Sequence, residues 1–461
     1  MKNTSYKDPS GFIFKHDNNI YRQINIRYKE NYELLMSSGL YEELIEKKFL
    51  IPHSESNTKS GQNEEQLYKT IKPENIQYIS YPYEWSFSQL KDAAILTLEI
   101  QKLALNKNMS LKDATAYNIQ YKDGTPIFID TLSFEKYNEG SPWVAYGQFC
   151  KHFLAPLSLM SYTNINLNQL LKTNMDGIPL DLTCDLLPTK AKLNPNLLMH
   201  LFLHANSQKK YENSTDLKSE KEIYVNKFSL EALIDSLLTC VKSLKFPKIK
   251  TEWGEYYTNT NYTELSSSEK YKIISGFIDS ISDANIKTVC DLGANRGDYS
   301  RIAANKGIKT LAFDIDPVAV EENYRHVKKQ KENNILPLLQ DITNPSPGIG
   351  FMNEERENFS KRFGCDLAMA LALVHHLAIS NNLPFTNIAD CFSQICSYLI
   401  IEFIPKTDSK VKILLSTRED IFPNYNLEGF ECEFSKYFEI IEKKPITDSE
   451  RTLYLMKRRS E

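Results

Sequence analysis

The sequence predicts an α/β protein of more than one domain. Three observations carry that expectation. The last third alternates short apolar runs with amphipathic stretches, a glycine-containing turn follows the first of those runs, and a long polar segment separates this part from an α+β front half. Strands alternating with helices predict a mostly parallel sheet of βαβ units. At 461 residues the chain has room for two or three domains of ~100–200 residues each.

Composition narrows the class. Hydrophobic residues make up 41% and charged residues 25%, the balance of a globular chain rather than a disordered or fibrous one. Lys and Arg number 55 against 59 Asp and Glu, a net charge of −4, so general nucleic-acid binding is not expected. The eight cysteines are scattered without a Cys-x-x-Cys pair, which points to reduced thiols and a cytoplasmic protein. The first residues lack the apolar stretch of a secretory signal. No apolar run approaches the ~18 residues of a membrane span.

In chain order, residues 12–22 read as an opening hairpin, and residues 31–48 as a helix. Residues 54–65 are polar and read as a surface loop. Residues 78–85 read as an extended segment, and 87–105 as a long helix. Asp123-Gly124 between two β-rich runs signals a second hairpin. The polar stretch 205–222 is the best domain boundary. A further polar segment, 258–269, precedes a helical pattern at 271–281. The expected division is therefore a front domain at 1–210, a helical connecting region at 211–281, and a C-terminal domain at 282–461.

In the C-terminal part, strands are expected at 287–292, 310–314, 335–340, 366–370 and 398–403, with helices at 299–305 and 318–329. The first strand runs into Asp291-Leu292-Gly293-Ala294-Asn295-Arg296-Gly297. Gly293 permits a tight turn and close backbone approach to a ligand, and Gly297 lets the next helix start near the strand. The second strand ends in Asp314, about twenty residues on, where an acceptor for a ribose hydroxyl pair would stand. An NAD site would show G-x-G-x-x-G, which is absent.

Residues 287–404 resemble the class I S-adenosylmethionine-dependent methyltransferases, whose first strand ends in D/E-x-G-x-G-x-G. Asp291, Gly293, Asn295 and Gly297 match it, with Asn295 in place of the middle glycine. The resemblance implies a Rossmann-like, mostly parallel seven-stranded sheet that holds S-adenosyl-L-methionine. It gives Asp314 the ribose hydroxyls, Asp341 the adenine amine, and Ile342 a place beside the ring. Asp366 opens the fourth strand, and His375-His376 follow it. These three are the candidate catalytic residues; a histidine suits proton removal near neutral pH, and packing against the cofactor is the alternative. Glu402, ending the fifth strand, reads equally as a functional carboxylate or a salt-bridge partner. No metal site is expected. Trp253, Tyr257 and Tyr262 form either a lid or an aromatic-pinned linker. His200 and His204 stand one helical turn apart, and packing is favoured over a metal pair.

Residues 10–160 more loosely resemble the protein-kinase-like or aminoglycoside-phosphotransferase-like fold. Asp113, then Asn118, then Asp130 after the hairpin follow the order of its catalytic base and magnesium ligands. ATP and Mg²⁺ are the ligands this implies. The departures are a missing glycine-rich loop, Arg22 where the phosphate-pairing lysine belongs, and Leu111 where a histidine usually precedes the catalytic loop. They imply a degenerate or repurposed domain; a hairpin whose Asp and Asn cap turns is the other reading. The whole arrangement resembles a bacterial nodulation-protein-like family of class I methyltransferases. It implies a small-molecule, glycan or protein substrate. The front half is then a substrate-presenting module or a second, phosphate-transferring enzyme.

Overall fold

The computed structural model describes residues 7–212, 224–249, 251, 264–416 and 418–460. The chain divides into two compact units, residues 1–248 with 349–356, and residues 249–348 with 357–461.

The first unit opens with β1 (Gly11–His16) and β2 (Asn19–Asn25), the expected hairpin, which turns at Asp17 and Asn18 with φ of 45° and 61°. Short polar side chains tolerate that left-handed conformation best. The single helix expected over 31–48 is two, α1 (Lys29–Ser37) and α2 (Leu40–Glu46), because Gly39 takes a φ of 75° between them. The stretch read as a surface loop at 54–65 contributes to a sheet: β3 (His53–Ser56) pairs with β4 (Leu67–Pro73), in the antiparallel order β1-β2-β4-β3. Residues 78–85 hold a 3₁₀ turn, Pro82–Glu84, and no strand. The long helix α3 (Phe87–Asn106) begins at a capping box made by Ser86 and Gln89.

After α3 come β5 (Met109–Leu111), β6 (Ile119–Lys122), β7 (Thr125–Phe128) and β8 (Phe134–Lys136). β5 pairs with β8 and β6 with β7. Asp123 and Gly124 both have positive φ, as a two-residue type I′ hairpin turn requires. Tyr83, Trp85 and Phe149 are fully buried core residues.

The connecting region expected over 211–281 is divided between the units. The helix Lys227–Ser243 belongs to the first, where Lys102 meets Asp235 at 2.8 Å and Lys91 donates to the carbonyls of Lys242 and Leu244. The helix Glu264–Ser280 belongs to the second, with Ile274, Phe277 and Ile278 buried against Val289, Leu367 and Ile400. Each helix has an apolar face that a core must cover, and each fully buried Ile or Phe contributes about 1.5–3 kcal/mol. Trp253, Tyr257 and Tyr262 lie outside the described residues.

The second unit is built on seven strands: β9 (Thr288–Leu292), β10 (Lys309–Asp314), β11 (Ile335–Leu339), β12 (Cys365–Ala370), β13 (Cys396–Phe403), β14 (Phe438–Pro445) and β15 (Thr452–Arg458). Their order is β11-β10-β9-β12-β13-β15-β14. β9 to β13 are parallel, and β15 pairs antiparallel with both β13 and β14. The expected mostly parallel seven-stranded sheet is therefore present. The chain steps outward from β9 to β10 to β11, then returns to place β12 on the other flank of β9. Such a reversal leaves a crevice at the carboxyl ends of the central strands.

Candidate functional site

A cavity of about 470 Å³ lies at those carboxyl ends. Small-molecule and cofactor sites span ~300–1,000 Å³. Its lining includes Asp291 and Gly293 after β9, Asp314 after β10, and Asp341 and Ile342 after β11. Leu371, Ala372 and Leu373 follow β12 and form a further wall.

The β9 turn is folded back onto β10. The N–H groups of Gly293 and Ala294 both donate to the Phe313 carbonyl, at 2.9 and 2.8 Å. Gly293 has a φ of 78°, and a Cβ there would meet only the Leu373 side chain, at 3.4 Å. Asn295 has a φ of 48°, so it takes the left-handed conformation that a glycine would supply. Its N–H donates to Asp314 Oδ2 at 2.7 Å, and the N–H of Asp316 donates to Oδ1 at 2.8 Å. Asp291 Oδ2 accepts from the Ser300 hydroxyl at 2.6 Å. Burial pushes the Asp314 carboxyl up to about 6, against the pull of those two backbone donors. Burial likewise raises Asp291 to about 7, opposed by Ser300.

Lys270, on the helix Glu264–Ser280, also lines the cavity. Its ammonium donates to Glu402 Oε2 at 2.7 Å and lies 4.7 Å from the Tyr299 ring centroid. His376 stands on the same cavity. Burial lowers its pKa to about 4, with the positive charge of Arg451 acting in the same direction, so the ring is neutral at pH 7.

In the first unit, the three residues expected at a nucleotide–magnesium site stand near one another, and Asp130 is paired with an arginine. Arg22 Nη1 forms an ion pair with Asp130 Oδ1. Asp130 Oδ1 also accepts from the Leu132 N–H at 2.8 Å, and Oδ2 from the Ser133 hydroxyl at 2.9 Å. The Asn118 amide donates to Ser133 Oγ at 3.1 Å. Burial raises the Asp113 carboxyl, and the charge of Asp130 adds to the rise. Among the described residues, no group of three or more His, Cys, Asp or Glu is arranged to hold a metal ion.

No protein-family model matches this chain. One curated relative matches nearly all of it: nodulation protein NoeA of Rhizobium meliloti (strain 1021), 34% identical over 460 residues, covering 98% of this chain and 95% of the relative. The chain belongs to the NoeA family. A second relative, ribosomal RNA large subunit methyltransferase E of Wolbachia sp. subsp. Brugia malayi (strain TRS), is 26% identical over 155 residues, 28% of this chain and 71% of its own length. Among solved structures, magnesium protoporphyrin IX methyltransferase from Synechocystis PCC 6803 with bound SAH is 15% identical, with a TM-score of 0.32 over 45% of this chain and 93% of its own. The bifunctional kinase-methyltransferase WbdD is 17% identical, with a TM-score of 0.29 over 41% of this chain and 39% of its own.

In this NoeA-family chain, Asp291, Gly293, Asn295, Asp314, Asp341, Ile342 and His376 all line the one cavity. Three other expected site residues do not. Asp366 opens β12 at the amino end of the sheet, where its Oδ2 accepts from the N–H groups of Lys287 and Thr288 and from the Thr288 hydroxyl. It stitches β12 to the start of β9, a full strand length from the cavity, and so is no catalytic candidate. His375 is buried behind His376, their ring centroids 4.0 Å apart, and it does not reach the cavity wall. Gly297 serves packing: a Cβ there would stand 2.5 Å from the Asn323 amide.

His200 and His204 pack with Tyr146 in the first unit, His200 Nδ1 lying 2.9 Å from the Tyr146 hydroxyl, in keeping with the packing reading. Lys270 escaped the sequence reading. The available signal was a lysine on the apolar stripe that continues through Ile274, Phe277 and Ile281. None of the eight cysteines is in a disulfide. Among the described residues, no helix is long and apolar enough to cross a membrane.

Proposed function

We propose that the second unit is a class I S-adenosylmethionine-dependent methyltransferase acting on a small-molecule, glycan or protein acceptor. One observation carries this reading. Side chains and backbone from three separate strand ends, Asp291 with Gly293, Asp314, and Asp341 with Ile342, converge on a single cavity at the switch point of a parallel sheet. The partial match to a ribosomal RNA methyltransferase is in keeping with it.

The residues present fit the cofactor. Asp314 would accept the ribose hydroxyls, Asp341 the adenine amine, and Ile342 would cover the ring. Gly293 carries no side chain, which lets a ligand come close to its backbone. The bound cofactor supplies a methyl group activated on a sulfonium centre. The protein's share is positioning and exclusion of water, to which Leu371, Leu373 and Leu377 contribute as apolar walls. His376, on the cavity wall, would be the group to take the proton that a hydroxyl or amine acceptor gives up.

The first unit reads best as a cytoplasmic substrate-binding module rather than a phosphotransferase. The observation behind this is the Arg22–Asp130 ion pair, which puts a side-chain cation where a magnesium ligand would need a free carboxylate.

Calorimetric titration of the intact chain with S-adenosylmethionine, S-adenosylhomocysteine and NAD tests the main reading. Binding of the two adenosyl ligands without NAD is expected. Binding of NAD alone would make this a different nucleotide site and defeat the proposal.

A further inference from the structure

The wall opposite Gly293 contains a backbone conformation that its own sequence does not favour. Ala372 has a φ of 49°, in the left-handed region that an alanine rarely adopts. Non-glycine residues held there persist when their surroundings over-determine them. The determinant here is Glu402, at the end of β13. Its Oε2 accepts the Ala372 N–H at 2.7 Å. The same oxygen accepts the Lys270 ammonium at 2.7 Å. The side chains of Lys270 and Glu402 are 2% and 0% exposed.

The carboxylate has a second claimant. Arg451 Nη1 stands 3.6 Å from Glu402 Oε1, and Arg451 Nε is itself fixed on Asp408 Oδ2 at 2.8 Å. Glu402 is thus drawn toward the cavity wall by Lys270 and toward the sheet by Arg451. In a site sealed from water, such charges hold their geometry far more tightly than they would on the surface.

What the pull toward Lys270 secures is the shape of the cavity. Ala372 fixed left-handed sets the direction of its neighbours Leu371 and Leu373, and all three line the site. Leu373 is the side chain facing Gly293, and its carbonyl accepts the His376 N–H at 2.9 Å. One backbone turn therefore sets both the gap over the glycine turn and the start of the segment carrying His376.

We propose that the Lys270–Glu402 ion pair is a positioning device that holds Ala372 left-handed, and so shapes the cofactor side of the cavity. This rests on the methyltransferase reading above. Both residues act through Ala372 and neither needs to touch the reacting atoms. Without Lys270, the carboxylate would swing toward Arg451, release the Ala372 N–H, and let the turn relax into an ordinary conformation that closes the gap over Gly293. A glycine at 372 adopts the left-handed turn at no steric cost and would not need the clamp.

The test is calorimetric binding of S-adenosylhomocysteine to wild type, Lys270→Met, Ala372→Gly and the double variant, with thermal melting of each recorded alongside. Lys270→Met should weaken binding about tenfold or more, the size of effect that losing a strained, preorganised turn produces. Ala372→Gly alone is the reference against which the double variant is read. The double variant should recover most of the lost affinity while remaining as destabilised as Lys270→Met. Recovery without regained stability is a result that a merely structural lysine would not give. Wild-type affinity in Lys270→Met, or a double variant no better than Lys270→Met, would overturn the clamp. If Lys270→Met fails to fold, Glu402→Gln with and without Ala372→Gly gives the same comparison. Failure of wild type itself to bind would defeat the methyltransferase reading instead.

Discussion

Arg22 on β2 and Asp130 after β7 form an ion pair across 108 residues of sequence, with side chains only 10% and 14% exposed. The kinase-like resemblance puts both at one phosphate site, Arg22 in the place of the lysine and Asp130 in that of a magnesium ligand. Their pairing makes the first unit self-contained in charge at the place where the sequence resembles a magnesium site.

A first prediction concerns ligand binding there. Titration with ATP should give no magnesium-dependent heat, because the Asp130 oxygens are engaged by Arg22, the Leu132 N–H and the Ser133 hydroxyl. A magnesium-dependent signal that disappears in Asp130→Asn would reverse the reading and make phosphotransfer assays the next step.

The same pair should matter to stability. Removing one partner of a largely buried ion pair leaves the other uncompensated, at a cost of about 3 kcal/mol. Arg22→Met should therefore lower the melting temperature of the first unit by several degrees, with S-adenosylhomocysteine binding unaffected. A variant that melts like wild type would show the pair to be solvated and inconsequential.

Asp366 gives a prediction of the opposite kind. It joins β12 to the start of β9 through three accepted hydrogen bonds and is remote from the cavity. Asp366→Asn should cost about 1–3 kcal/mol of stability and leave adenosyl-ligand affinity as it is. Loss of affinity with unchanged melting would restore Asp366 as a site residue.

Affinity should also depend on pH. Burial raises Asp291 to about 7 and Asp314 to about 6, so both shift toward their protonated forms as the medium turns acid. The stability these two groups contribute is fully present below the unfolded carboxylate pKa of about 3.9 and is lost as pH rises through about 6 to 7. Ligand binding runs the other way, since ionised carboxylates are the better acceptors for ribose hydroxyls. S-adenosylhomocysteine affinity should rise between about pH 5 and pH 8, and Asp314→Asn should flatten the rise. A flat wild-type profile would mean that neither carboxylate titrates on binding.

The second unit was largely legible because its signals are local. Apolar runs, the turn at Gly293 and carboxylates at strand ends are each read within a few residues, and Asn295 keeps the left-handed conformation the turn needs. Asp366 misled because a carboxylate beside a strand looks the same at either end; only the direction of the strand in the sheet tells which. Lys270 and Glu402 were beyond reach as a pair, since 132 residues separate them and their partnership exists only in the folded core. β14 was hidden by its edge position, where Glu439, Glu442, Lys443 and Lys444 break up the apolar pattern. In the first unit, the hairpin at Asp123-Gly124 was explicit, while β3 lay in a stretch whose composition reads as loop.

The most direct measurement is the affinity of S-adenosylhomocysteine for wild type and for Asp314→Ala, side by side in one calorimetric titration series with melting curves as control. Saturable wild-type binding that weakens by about tenfold or more in the variant, with the fold intact, is the expected result. Equal affinity in both proteins would contradict the assignment of Asp314 to the ribose, and absence of binding in both would contradict the cofactor itself.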